Sequence, residues 1–207
     1  MYSSMSKNNP RISIVVPTHE MAHKDFFMKR LVDSLDKQSF RDFELIVTNE
    51  GKMAANTNSG IKKAKGEIVK ILFMDDYLHD VDALKHIDEA FTGGWMASGC
   101  IHDNGKYLFN PHFPKWDADI RGGRNTIGSP SVIAFENDNP EFFDEQLSWL
   151  LDCDLYYRLY ERYGEPTIIN YTDIAIGVGN HQTTYLMSDV EKWEEHQYLK
   201  QKYATTD

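Results

Sequence analysis

A chain of 207 residues and 24.0 kDa can bury a substantial core in one domain, and 41% hydrophobic with 26% charged residues is the balance of a folded globular protein. Its 32 acidic residues outnumber 22 basic ones, and a formal charge of −10 argues against a nucleic-acid partner or an anionic lipid surface. Cys100 and Cys153 are the only cysteines and lie far apart, which excludes a disulfide scaffold and a zinc cluster and fits a reducing compartment.

The opening MYSSMSKNNP has no apolar core of signal-peptide length, and no apolar run reaches the roughly 18 residues of a membrane span, so a cytoplasmic protein without a transmembrane segment is expected. RISIVVP predicts a buried strand over Ile12–Val16, ended by Pro17. Phe27, Leu31 and Leu35 recur at the spacing of a helical stripe and predict a helix over Phe26–Gln38. FELIV, residues 43–47, predicts a second strand; a short polar helix over Met53–Ala64, closed by Gly66, precedes a third strand over Ile68–Met74. This alternation with continuously apolar strands is the pattern of an α/β protein with a mostly parallel sheet covered by helices on both faces.

Beyond a helix over Val81–Phe91 the pattern becomes mixed. Short strands are expected near Trp95–Cys100, Ser131–Phe135 and Thr167–Tyr171, with a long Gly-, Asn- and Pro-rich loop over 102–130. Leucines at 147, 151, 155 and 159 predict a helix over Leu147–Tyr163, and Ser188 with Glu191 forms the capping box of a last helix. The expected organisation is a single domain over 1–207, with a nucleotide-binding half at about 11–100, an acceptor-side half at about 101–187 and a C-terminal helix over 188–207.

Ligands of parallel sheets bind at the carboxyl ends of the strands. That rule gathers PTHE (17–20), TNEG (48–51) and DDY (75–77) at one crevice. Adjacent carboxylates at Asp75 and Asp76 repel one another, so they either face water, capping the next helix, or hold a cation. Hard cations such as Mg²⁺ or Mn²⁺ take one or two carboxylates plus substrate phosphates, and no Cys or His cluster stands nearby to favour zinc.

RISIVVPTHE, FELIVTNEG, NSGIKKAKGEIVKILFMDDYL and FDEQLSWLLDCDLYYRL together resemble the family 2 glycosyltransferases of GT-A fold, over Ile12 to about His181. The resemblance implies a GT-A-type nucleotide-diphospho-sugar transferase fold and an inverting, metal-dependent transfer of a sugar from a nucleoside diphosphate sugar, a UDP-sugar first among them, to an acceptor hydroxyl on a glycan, a lipid-linked molecule or another carrier; the expected cofactor is Mn²⁺ or Mg²⁺. Asp75 and Asp76 match the last two acids of the family's Asp-x-Asp-Asp, which implies metal contact with Asp75 and support from Asp76; Phe73 stands where the first acid would be. His181 matches a histidine that contacts the metal or diphosphate. Pro17, Thr18 and Glu20 match the nucleoside-contacting segment, Asn49 and Glu50 the paired acids of which one accepts from uracil, and Asn58 a donor-side asparagine of the family pattern, with Thr57 replacing an arginine.

Asp152 matches the family's catalytic base, with Leu151 replacing its acidic neighbour and Asp154 the nearest substitute. GSPSVIAF, 128–135, matches the acceptor side, and Trp116 and Trp149 are candidates to stack on sugar faces. Two alternatives stand beside this reading. Phe73 and Thr57 leave open a non-catalytic nucleotide-sugar binding module; a nucleotidyltransferase fits less well, because PTHEMAHKD lacks the glycines of a triphosphate loop.

Overall fold

The computed structural model describes residues 9–204. Three parallel strands, β1 (Ile12–Pro17), β2 (Phe43–Thr48) and β3 (Ile68–Ile71), are joined through helices α1 (Lys24–Asp36) and α2 (Met53–Lys63). Every residue of β1 is buried because β1 runs between β2 and β3, whereas edge strand β2 leaves Leu45 and Val47 exposed. The register pairs Pro17 with Thr48 and Val15 with Ile71, so the carboxyl ends of all three strands reach one edge of the sheet.

The third strand ends earlier than Met74. Leu72 still donates to Val15 O at 3.0 Å, but Phe73 N turns to Ser131 Oγ at 2.8 Å and Asp76 N closes a turn onto Phe73 O at 2.9 Å. The apolar run leaves the sheet while staying buried: Leu72 and Met74 are core residues, so hydrophobicity alone does not mark the strand end. Two-residue β4 (Tyr77–Leu78) follows, then α3 (Ala83–Ala90), which is shorter than expected because Asp80 Oδ1 accepts from Asp82 N and holds Val81 outside the helix.

β5 (Trp95–Asp103) is the long strand of the second half. It pairs antiparallel with β7 (Ile133–Glu136) and β6 (Leu108–His112) and parallel with β8 (Thr167–Gly177), giving the order β2-β1-β3-β7-β5-β8-β4 with β6 also on β5. Residues 102–130 are therefore not one loop. They contain the β5–β6 hairpin, turned by Asn104 Oδ1 accepting from Lys106 N and Tyr107 N with Gly105 at φ 82°, and a 3₁₀ turn over Ala118–Gly122. β6 is hidden in the sequence because its Asn110 and Pro111 are poor strand formers.

α4 spans Leu151–Tyr163, and the stretch before it, expected as helix from Leu147, is irregular. After the short α5 (Thr183–Leu186), α6 (Asp189–Lys202) begins at the expected capping box, Ser188 N donating to Glu191 Oε2 at 2.8 Å and Glu191 N to Ser188 Oγ at 3.3 Å. No described helix is long and apolar enough to cross a membrane.

α2 lies close on β1 because residue 60 is glycine. A Cβ there would stand 2.3 Å from Val15 Cγ1, and Val15 is wholly buried. Gly60→Ala is expected to lower stability by about 1–3 kcal/mol, the cost of overpacking a filled core, despite alanine's better helix propensity. Urea unfolding measures it; unchanged stability would mean that α2 can lift from the sheet without loss.

Candidate functional site

The ends of β1 and β2 are locked by the first turn of α2. Thr18 donates from N and Oγ1 to Thr48 O at 2.7 and 2.8 Å. Asn56, 3% exposed, donates from Nδ2 to Thr18 O at 2.8 Å and accepts from Glu50 N at 2.8 Å, while its carbonyl takes the Thr48 hydroxyl at 2.9 Å. A buried asparagine inside a helix is tolerable only with its amide satisfied, and here both ends of the amide bind strand-end backbone.

The acidic turn after β3 meets the end of β8. Asp76 is almost wholly buried, its Oδ1 accepting from Gly177 N at 2.8 Å and its Oδ2 lying 3.5 Å from Ser129 Oγ. Burial, then the charge of Asp75, pushes the Asp76 carboxyl well above the usual range. Asp75 is turned the other way, with Oδ2 2.9 Å from His181 Nε2. The two segments come together so tightly that a Cβ on Gly177 would stand 2.3 Å from Asp75 O. Behind the turn, fully buried Lys70 donates to the carbonyls of Ser131 and, at 3.3 Å, Ile133; burial pushes its ammonium down to about 7 against the opposing pull of Asp173 and Asp76.

Asp152 sits in the first turn of α4, where unpaired backbone N–H groups favour an anion. Its Oδ1 accepts from Cys153 N and its Oδ2 from Asn125 Nδ2, both at 2.7 Å. Burial raises its pKa to about 6 against these hydrogen bonds, leaving it mostly ionised at neutral pH. Asp154, the substitute, is wholly buried and consumed by structure: Lys202 Nζ and Tyr203 OH both approach Oδ1 at 2.6 Å and Arg158 Nε lies 3.0 Å from Oδ2.

Asp75, Asp76, Asp152 and His181 line one cleft of about 620 Å³, together with Asn125 and Trp149. Of the other expected residues, Pro17 and Thr18 are buried at the end of β1 behind it. Asn58 is a buried clamp on the Phe143 backbone, accepting from its N at 2.8 Å and donating to its O at 2.9 Å. Glu20, Asn49 and Glu50 are exposed outside the lining; Glu20 is tied to Lys24 Nζ at 2.5 Å, and Glu50 to Lys63 Nζ and Ser59 Oγ, each at 2.7 Å. Trp116 stacks on Tyr160 with centroids 4.1 Å apart, so it belongs to the core and not to the cleft. Asn56 and Asn125 were not anticipated: the partners that give them their place at the site lie in other elements, and locally they are one amide in a short polar helix and one in a Gly-rich loop.

No family model matches the chain, and no curated protein does. Solved structures do. Staphylococcus aureus TarS matches with a TM-score of 0.63 and 21% identity over 82% of this chain and 37% of that one. S. aureus TarS 1-349 in complex with UDP-GlcNAc matches at 0.65 and 18% over 91% and 65%, and the mannosyltransferase PcManGT from Pyrobaculum calidifontis, in complex with GDP-Man and Mn²⁺, at 0.55 and 15% over 92% and 61%. The fold is GT-A-like. The chain spans between 37% and 65% of the lengths of these structures.

The donor set of the cleft suits a hard divalent cation that is completed by a ligand. Among the described residues no three His, Cys, Asp or Glu side chains form a metal cluster, yet Asp75 and His181 converge beside a buried carboxylate whose ionisation a cation would favour. One or two protein ligands plus phosphate oxygens is how Mg²⁺ and Mn²⁺ are commonly held in nucleotide sites.

Asn125 favours the charged form of Asp152, so Asn125→Ala is expected to raise the Asp152 pKa above about 6. A carboxyl ¹³C NMR titration reads this directly; an unchanged or lower value would show that the hydrogen bond does not tune the acid.

Proposed function

We propose that the chain is an inverting glycosyltransferase that moves a sugar from a nucleoside diphosphate sugar, a UDP-sugar first among them, to an acceptor hydroxyl. The observation that carries the reading is the sharing of one cleft, at the carboxyl edge of a GT-A-like sheet, by the Asp75–His181 pair and by Asp152 at a helix N-terminus. TarS bound to UDP-GlcNAc and PcManGT bound to GDP-Man and Mn²⁺ support the donor class and the cation.

Asp75 and His181 would hold Mn²⁺ or Mg²⁺, with Asp76 buttressing the turn through Gly177. The bound ion would supply positive charge to the leaving diphosphate. Asp152 takes the proton of the acceptor hydroxyl as its oxygen bonds to the anomeric carbon; the bond to the diphosphate breaks and its electron pair leaves with the nucleotide. One displacement inverts the anomeric centre, and no covalent enzyme intermediate forms. Asn125 holds the receiving oxygen in place. The strand-end backbone fixed by Thr18 and Asn56 frames the nucleoside end, and Glu50 is the carboxylate proposed for the uracil N–H, exchanging Lys63 and Ser59 for the base.

A binding module without turnover is the second reading, favoured by Phe73, which lines the cleft where the family carries an acid. Release of UDP from a panel of UDP-sugars with Mn²⁺ separates the two: the transferase reading expects turnover that EDTA suppresses, and tight UDP-sugar binding with no release of UDP across acceptors would overturn it.

Asp152→Asn keeps the shape and removes the proton acceptor. The transfer rate is expected to drop by about 10²- to 10⁴-fold with donor affinity by calorimetry nearly intact. Protonation below pH about 6 disables the carboxylate, so wild-type turnover should fall as the pH drops through that value and the limb should vanish in the variant. Near-normal turnover in Asp152→Asn would place the base elsewhere.

A further inference from the structure

Arg30 on α1 has no part in the reading above, yet it touches Asp75 directly and reaches the His181 segment through Phe27 and Asp103. Its Nη2 donates to Asp75 O at 2.6 Å. Its Nη1 donates to Asp103 Oδ2 at 2.8 Å, and Tyr77 OH donates to the same oxygen at 3.1 Å. The guanidinium lies over the Tyr77 ring at 4.4 Å and 5.4 Å from the centroid of Phe27, whose ring is in turn 5.4 Å from the imidazole of His181. Asp103 closes the circuit, because its carbonyl accepts from Val178 N at 2.9 Å, at the start of the segment that leads to His181.

We propose that Arg30 is a positioning residue that holds Asp75 and His181 at the separation at which they share one divalent cation; the inference rests on the reading of those two residues as ligands. A planar fork with several fixed donors can bind a carbonyl and a carboxylate while its face packs on aromatic rings, and an ammonium cannot do all three. The contact to Asp75 is to the backbone, so Arg30 orients the carboxylate without neutralising it or competing for its oxygens. Gly177 packs against the same carbonyl, a Cβ there standing 2.3 Å from Asp75 O and 3.4 Å from Arg30 Nη2. Ligand geometry is set by such outer partners, whose loss typically weakens metal affinity by about 10- to 100-fold.

The test uses the full chain with saturating UDP and MnCl₂, against a protein-free UDP blank, with free Mn²⁺ followed by electron paramagnetic resonance, in wild type, Arg30→Met, Arg30→Lys, Asp103→Asn and Asp75→Asn. Arg30→Met is expected to weaken Mn²⁺ binding about 10-fold or more, Arg30→Lys less, and Asp103→Asn in the same direction, while UDP affinity measured in EDTA is unchanged. In turnover, the KM for Mn²⁺ should rise and kcat should recover at saturating Mn²⁺, a split that general destabilisation does not produce. Wild-type Mn²⁺ affinity in folded Arg30→Met overturns the inference; should that variant fail to fold, wild-type affinity in both Arg30→Lys and Asp103→Asn overturns it. Absence of Mn²⁺ binding by the wild type, or its persistence in Asp75→Asn, overturns the metal site itself and the inference with it.

Discussion

Two consecutive carboxylates at the end of a buried strand are the constraint around which the rest of the cleft is arranged. In water they would be unremarkable neighbours; at a sheet edge they must be separated and each given partners, because an unpaired buried charge is costly. The turn from Phe73 to Asp76 sends them in opposite directions. Asp76 goes inward to the Gly177 amide and Asp75 outward to His181. Lys70 lies wholly buried in the strand that feeds the turn, and its attraction to Asp76 and Asp173 is what opposes the burial that drives its ammonium toward neutrality.

A second dependence runs through the C-terminal helix. Glu195 of α6, 9% exposed, accepts from Ser148 N, Trp149 N and Leu150 N at 2.7, 2.9 and 2.8 Å, just ahead of the helix that presents Asp152. A carboxylate supplied from another element thus gathers the amides of the turn that leads into α4, ahead of the helix's own first turn, and fixes the segment that enters it. Lys202 of the same helix ties Asp154 and Asp144 together at 2.6 and 2.7 Å. α6 is polar along its length and adds little to the core, but it fixes the segment carrying the proposed base.

Identity of 15–21% to TarS and PcManGT with most of this chain aligned shows how loosely the GT-A-like sheet constrains residue type. Any apolar, β-branched-rich run serves as a strand of a covered sheet. Against the family 2 glycosyltransferase pattern that the sequence resembles, Phe73 in the cleft lining and buried Thr57 differ, while acids stand at 75, 76 and 152.

By itself the sequence determined the parallel first half, the location of the crevice at the strand ends, the acidic pair and the capping box of the last helix, because those signals are short-range: apolar continuity, helical spacing, and a Ser–Glu pair three residues apart. Tertiary structure decided where the third strand ends, since Phe73 turns to a serine 58 positions away, and that residues 102–130 hold a hairpin whose strand is built from weak formers. It also decided which polar side chains face the cleft. Glu50 is held by Lys63, Asn58 by the Phe143 backbone and Trp116 by Tyr160, while Asn125, Asn56, Arg30 and Glu195 gain their importance only from partners in other elements. A local pattern shows where a carboxylate or amide stands along the chain; what satisfies it when water is removed depends on which distant segment folds against it.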